Sequence, residues 1–313
     1  MSRQNYYATR KQRQRQDVDG GLVAQLVRQE RRLQPRLGTR KLRVVLQSQL
    51  EQAGVELGRD RFFEVLRERG LLLSRRRSET PRTTQSYHTL PVFTNLVKQR
   101  SVDRPNQVWV ADLTYLRTEE GFMFLALLTD KMSRQVVGHH CSDSLESVGC
   151  QQALRMALEQ SPQQAEIIHH SDRGSQYCCH EYVELAQAGG LKMSMTEKDH
   201  CAENALAERM NGILKGEYGL DQRFKTKAQT KQAVEQAIHL YCTRRPHSSL
   251  GNRFSSQVHA HGLPPAPPCG MSRERGPMRY DMDRQLRFED PSHVGATPLA
   301  DHPVEPLRGK VTN

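Results

Sequence analysis

The stretch VWVADLTYLRTEEGFMFLALLTD, residues 108–130, decides how the rest of the chain is read. It contains two runs rich in β-branched, aromatic and aliphatic side chains, VWVADLTYL and FMFLALLTD, bounded by charged or glycine turns. With RQVVGHHC just after them, they predict three strands in a meander. Downstream the texture alternates. A helix is expected over 144–159, a strand in AEIIHH (165–170), a helix over 180–188, a short strand in LKMSM (191–195), and helices over 202–217 and 226–242. Three strands followed by alternating helix and strand is an α/β pattern with a mixed sheet.

Upstream, Leu22, Val23, Leu26, Val27 and Leu33 recur at helical spacing, with Asp19 as a candidate cap. Thr39 can cap a second helix carrying Leu42, Val45, Leu46 and Leu50 up to Gly54. A third helix runs from Asp60 through Phe62, Phe63, Val65 and Leu66 to Gly70. Short helices joined by tight turns and studded with cations, Arg40, Lys41 and Arg43 among them, resemble a helix-turn-helix module that docks on DNA, with an ordinary helical hairpin carrying a charged outer face as the alternative. The resulting division is a basic leader and helix-turn-helix domain over 1–73, a basic linker over 74–100 containing Arg75, Arg76 and Arg77, a catalytic core over 101–262, and a disordered tail over 263–313. That tail holds nine of the fifteen prolines.

Charge and composition narrow the function. Residues 1–100 hold 22 Lys or Arg against 9 Asp or Glu, whereas the remainder holds 24 against 26. A basic first third on a near-neutral remainder fits docking on a polyanion. Hydrophobic residues make up 36% of the chain and its mean hydropathy is -0.73. The longest apolar run, Phe122 to Leu128, is far too short to span a bilayer, so a soluble, cytoplasmic protein with no membrane partner is expected. The basic N-terminus has no apolar stretch behind it, which argues against a secretory signal. Seven scattered cysteines read as reduced thiols.

Three acids stand out. Asp112 interrupts an apolar strand, where a carboxylate is costly unless a cation or hydrogen-bond donors meet it. Asp172 falls where the strand AEIIHH runs into the turn HSDRGS, and strand ends facing loops are where α/β sheets keep their sites. Glu208 lies on a helix with an expected apolar stripe of Leu206, Met210 and Ile213, and faces away from it beside Asn204, Asn211, Gly212 and Lys215. Alone, each has an ordinary explanation as a strand oddity, a turn residue or a solvated helix position. Together they suit a hard divalent cation such as Mg2+, which prefers carboxylate oxygen. Three carboxylates can hold two ions for an in-line phosphoryl displacement.

The segments WVADLTYL, IIHHSDRGSQY, ENALAERMNGILKGEY and YCTRRPHSSLG resemble the catalytic core of bacterial transposases of the third insertion-sequence family, relatives of retroviral integrases. The resemblance runs from about residue 20 to 258 and includes the helix-turn-helix segment. Asp112 and Asp172 lie 60 positions apart and Asp172 and Glu208 lie 36 apart, matching that family's Asp-Asp-Glu triad. Glu203 is a second acid near the third position, but the spacing favours Glu208.

The resemblance implies a ribonuclease H-like core with a mixed five-stranded sheet flanked by helices. It implies a polynucleotidyl transferase with two Mg2+ or Mn2+ ions on Asp112, Asp172 and Glu208, cutting donor DNA at the 3'-end and joining it to target. Double-stranded DNA, a homo-oligomer on that DNA and an upstream-frame product joined by frameshift are the implied partners. Lys215, Arg173 and Asn204 around the acids, and Arg244 and Arg245 after the last helix, are the matching candidates for DNA contact; for the last two, a loop packed back on the sheet is the competing reading. A nuclease of the same fold without strand transfer, or an inactive DNA-binding remnant, remain the rival functions.

Overall fold

The computed structural model describes residues 3–74, 90–98, 100–161, 166–197 and 204–262, all within one compact unit. Arg75, Arg76, Arg77, Glu203 and the 263–313 tail therefore lie outside the described residues.

The chain opens with three helices, α1 (Arg3–Leu33), α2 (Thr39–Gln52) and α3 (Arg59–Glu68). Val23, Val27, Leu37, Leu42, Leu46, Leu50, Phe62, Val65 and Leu66 close into one apolar cluster among them, so the expected stripes meet as a module. Gly54 and Gly70 end α2 and α3 with positive φ, a conformation that costs glycine little. Three details differ from expectation. Helix α1 begins at Arg3 and not near Asp19, which sits inside it. Gly38 and not Thr39 occupies the cap position of α2, and no side chain caps it. Leu33 remains 39% exposed instead of joining the stripe.

The sheet is built from β1 (Val108–Thr118), β2 (Gly121–Asp130), β3 (Val136–Ser142), β4 (Ile168–Ser171) and β5 (Lys192–Met195), in the order β3-β2-β1-β4-β5. The first three strands are antiparallel, while β4 and β5 run parallel to β1. A sixth strand, the two-residue β6 (Arg223–Phe224), pairs with the far end of β1 at Arg117 and Thr118. It extends the expected five-stranded sheet and was too short to leave a periodic signal.

Alternation along β2 divides the core, since successive side chains of a strand point to opposite faces. Ala126 and Leu128 join Trp109, Cys150, Ala153 and Tyr182 under α4 (Ser147–Glu159), α5 (Ser175–Cys178) and α6 (His180–Ala188). Leu125 and Leu127 join Met210, Leu214, Val234 and Ile238 under α7 (Ala205–Tyr218) and α8 (Lys227–Arg244). Each fully buried Leu or Met contributes about 1.5–3 kcal/mol. Helix α4 lies so close to β3 that a Cβ on Gly138 would fall on the Ala153 carbonyl oxygen. A last helix, α9 (Ser255–His261), packs on α8. The result is a ribonuclease H-like mixed sheet covered on both faces. Among the described residues no helix is long and apolar enough to cross a membrane.

Candidate active site

The parallel register of β1 and β4 pairs Val108 with Ile168, Trp109 with His169 and Val110 with His170. Continued by two residues, it brings Asp112 level with Asp172, just past the end of β4 at Ser171. The two acids thus converge where the strands part, at the carboxyl end of β4. Asp112 Oδ1 accepts a hydrogen bond from its neighbour's backbone, Leu113 N, at 3.0 Å, and Oδ2 accepts one from Asn211 Nδ2 at 2.7 Å. Asp172 Oδ1 accepts from Gly174 N at 3.0 Å, and a Cβ on Gly174 would come within 3.1 Å of that oxygen.

Burial pushes the Asp112 carboxyl up to about 7, and the nearby charges of Asp172 and Glu208 push the same way against the Asn211 and Leu113 hydrogen bonds. Oxygen donors crowded until their own charges conflict suit a hard divalent cation. Among the described residues, however, no three His, Cys, Asp or Glu are gathered closely enough to hold a metal ion.

Helix α7 carries the third acid. Asn204, Glu208, Asn211 and Lys215 lie in one row at i, i+4, i+7 and i+11. Three of the four reach β1: Asn204 Nδ2 donates to Ala111 O at 3.1 Å, Asn211 to Asp112, and Lys215 Nζ to Thr114 Oγ1 at 2.6 Å. The Lys215 ammonium also lies 4.5 Å from the centre of the Tyr115 ring. The row grouping was therefore expected, but the stripe opposite it was not. Ala207, Met210, Leu214 and Tyr218 are the buried apolar positions, while Leu206 and Ile213 are only half-buried. The helix is rotated from its apolar reading because two asparagines turn inward to meet polar atoms of β1. Glu208 stays exposed at the edge of this contact and is felt at Asp112 through its charge.

Residues 102–201 and 189–254 each match a family described as Integrase core domain. The Insertion element IS600 uncharacterized 31 kDa protein of Shigella sonnei is 39% identical over 217 residues, 69% of this chain and 78% of that protein. The Transposase InsF for insertion sequence IS3A of Escherichia coli (strain K12) is 34% identical over 200 residues, 63% of this chain and 69% of that one. The chain belongs to the IS3 family of insertion-sequence transposases. Asp112 and Asp172 of this transposase fall in the first matched segment and Glu208 in the second. The HTLV-2 integrase catalytic core domain, solved in complex with magnesium, is 20% identical with a TM-score of 0.40, covering 50% of this chain and 97% of that one.

The remaining expected site residues of the transposase divide into two groups. Arg40 and Arg43 are exposed on α2, open to a polyanion. Arg173 Nε donates to Thr196 O at 2.8 Å, which ties the Asp172 turn to the end of β5. Lys41, Arg244 and Arg245, the other expected DNA contacts, are each paired with a carboxylate within the protein. Arg244 Nε and Nη2 grip Glu30 at 2.9 and 2.7 Å. Arg245, only 3% exposed, grips Glu217 through Nε and Nη2 at 2.8 Å each, and Lys41 adds to Glu217 at 3.0 Å.

Gln34 extends this network, donating to Glu30 at 2.8 Å and accepting from Tyr218 Oη at 2.9 Å. It joins the three-helix module of the transposase to α7 and α8, and the module's apolar cluster shares no residue with the clusters of the core. Sequence reasoning also gave Asn211 no role of its own. The available signal was an amide spaced one turn from both Glu208 and Lys215 on the face opposite the expected apolar stripe.

Proposed function

We propose that the chain is a DNA transposase that cuts donor DNA at the element's 3'-end and joins that end to target DNA. The convergence of Asp112 and Asp172 at the carboxyl end of β4 carries this reading, with Glu208 on the adjoining helix. Those three would hold two Mg2+ or Mn2+ ions, whose chemistry is to polarise phosphate oxygen and favour ionised nucleophiles.

The chain's own groups position the reaction. Asn211 and the Leu113 N–H orient Asp112, the Gly174 N–H and the tight turn orient Asp172, and Lys215, held near Asp112, offers a cation to a phosphate. In the first step water attacks phosphorus and its oxygen stays on the 5'-phosphate, the bond to O3' breaks, and the departing oxygen takes up a proton released by the water to become a free 3'-hydroxyl. In the second, that hydroxyl attacks a target phosphodiester, a new P–O bond forms, and the target's own O3' leaves protonated. Neither step requires a covalent protein intermediate. Double-stranded DNA, assembly of several copies on it, and an upstream-frame product joined by frameshift complete the proposal.

Purified protein, alone and fused to its upstream frame, is incubated with a labelled element end and Mg2+ or Mn2+. Joined products that disappear in Asp112→Asn and Glu208→Gln support the reading. Cleavage without joining overturns it in favour of a nuclease, and DNA binding with neither reaction leaves an inactive DNA-binding remnant.

A further inference from the structure

Away from the acids, where β1 begins and β2 ends, a cleft of about 270 Å³ is lined by Arg100, Lys131 and Arg134, with Asp103, Met132 and Leu250 beside them. Its floor is firmly built. Lys131 N donates to Val108 O at 2.8 Å, which pins the residue to the first position of β1. The turn that follows is wound around Asp130, which is fully buried. One of its carboxylate oxygens accepts from Ser133 N and Oγ at 2.7 Å each, and the other from Asn106 N at 2.8 Å. These donors hold Arg134 at a φ of 66°, a left-handed conformation that an Arg adopts at a cost.

Three cations therefore face one space, and among the described residues none of the three forms an ion pair. Asp103 is the one carboxylate in the lining, and it is exposed. Lys131 and Arg134 are half-buried, and burial lowers the affinity of both for their protons; Arg134 adds to the effect on Lys131. Cations held close together and partly stripped of water favour an anion; the buried Asp130 carboxylate, already hydrogen-bonded to Ser133 and Asn106, acts on Arg134 through its charge alone. Guanidinium forks around a point-charge ammonium match the several oxygens of a phosphate.

Position says which phosphate. Arg134 lies within the electrostatic reach of Arg209, the residue that follows Glu208 on α7. Lys131 is bonded at Val108, four residues along an extended strand from Asp112, a separation of about 13 Å or roughly four base-pair steps of DNA. We propose that the cleft of Arg100, Lys131 and Arg134 binds a backbone phosphate of the DNA about four steps from the phosphodiester that lies at Asp112 and Asp172, fixing the path of the DNA across the core. The inference rests on the reading that the chain acts on DNA.

The test measures binding of the full chain to a fluorescently labelled duplex of arbitrary sequence over a series of salt concentrations. Each phosphate contact contributes about 0.9 to the slope of log K against log salt. Arg100→Gln and Lys131→Gln should each lower the slope by about that amount and the pair by about twice it. Lys192→Gln, whose ammonium pairs with Glu166 on the edge of the sheet, should leave it unchanged. Because Arg100 is exposed, its replacement tests the cleft without threatening the fold. Wild-type slopes in both cleft variants, beside clear salt-dependent binding by the wild type, overturn the cleft and leave the transposase reading standing. No salt-dependent binding by the wild type overturns the cleft together with the DNA reading on which it rests.

Discussion

Replacing Glu217 with Gln removes a negative charge from beside Arg245 while keeping nearly the same shape. Arg245 is 3% exposed and loses the partner of two charge-assisted hydrogen bonds at 2.8 Å. Its other contacts, His247 Nδ1 at 3.3 Å and the Tyr241 ring at 5.6 Å, cannot neutralise it. Removing one member of a buried pair typically costs 3–5 kcal/mol, and the partial exposure of Glu217 places the expected loss at about 3 kcal/mol. For a unit of this size that is a fall of roughly 6–12 °C in Tm by scanning calorimetry. The Arg245→Met, Glu217→Leu double variant should recover part of the loss, because the most buried charge is gone while the half-buried Lys41 ammonium still lacks its partner.

A further mark is pH. Burial alone would raise the Glu217 carboxyl, but hydrogen bonding to Arg245 and the Arg245 and Lys41 charges outweigh it and hold the carboxyl below its ordinary value. Its contribution is therefore present above the unfolded carboxylate range, about pH 4.3, and is lost as pH falls through the depressed folded value. A loss below about 1 kcal/mol in Glu217→Gln would mean that the cluster behaves as a solvated surface pair, and would refute the account of the module joint.

Other consequences are measurable on the same protein. His169 and His247 are both held down to about 3, chiefly by burial, so each stays neutral in the fold and gains a proton on unfolding below about pH 6.5. The free energy of unfolding in urea should fall with acidification toward pH 3, by up to about 1.4 kcal/mol per pH unit for each, and His169→Gln should remove its share. Gly138→Ala should cost about 1–3 kcal/mol in denaturant unfolding, because the added methyl meets the Ala153 carbonyl and the Ala157 side chain. Tyr182→Phe deprives buried His169 Nε2 of its 2.8 Å partner and should cost about 1–3 kcal/mol, with the Asp112 side of the sheet unchanged in hydrogen exchange.

The hairpin of β1 and β2 was legible because two short runs rich in apolar and aromatic residues flank a charged glycine turn and its partners are near in sequence. Asp112 and Asp172 were legible as candidates, but their convergence depends on a parallel register between strands some 60 positions apart. The first half of α1 was not legible: RQNYYATRKQRQRQ carries no apolar stripe, and the Gly20-Gly21 pair looks like a break. The carboxylate partners of Lys41, Arg244 and Arg245 were not legible for a different reason. A cation destined for a carboxylate 176 or 214 positions away carries the same local pattern as one destined for a phosphate. The stripe of α7 misled because periodicity assumes that only apolar residues turn inward.

That row on α7 has a consequence for how accurately the third acid can be placed. A helix lying on a strand through leucines alone could slide by a turn and bury nearly the same area. Asn204, Asn211 and Lys215 instead engage three chemically different acceptors, a backbone carbonyl, a carboxylate and a hydroxyl, at Ala111, Asp112 and Thr114. Displacement by one turn, 5.4 Å along the axis, would mismatch all three at once. The polar row is a register key: it allows Glu208 a single longitudinal setting against Asp112 and penalises every intermediate one.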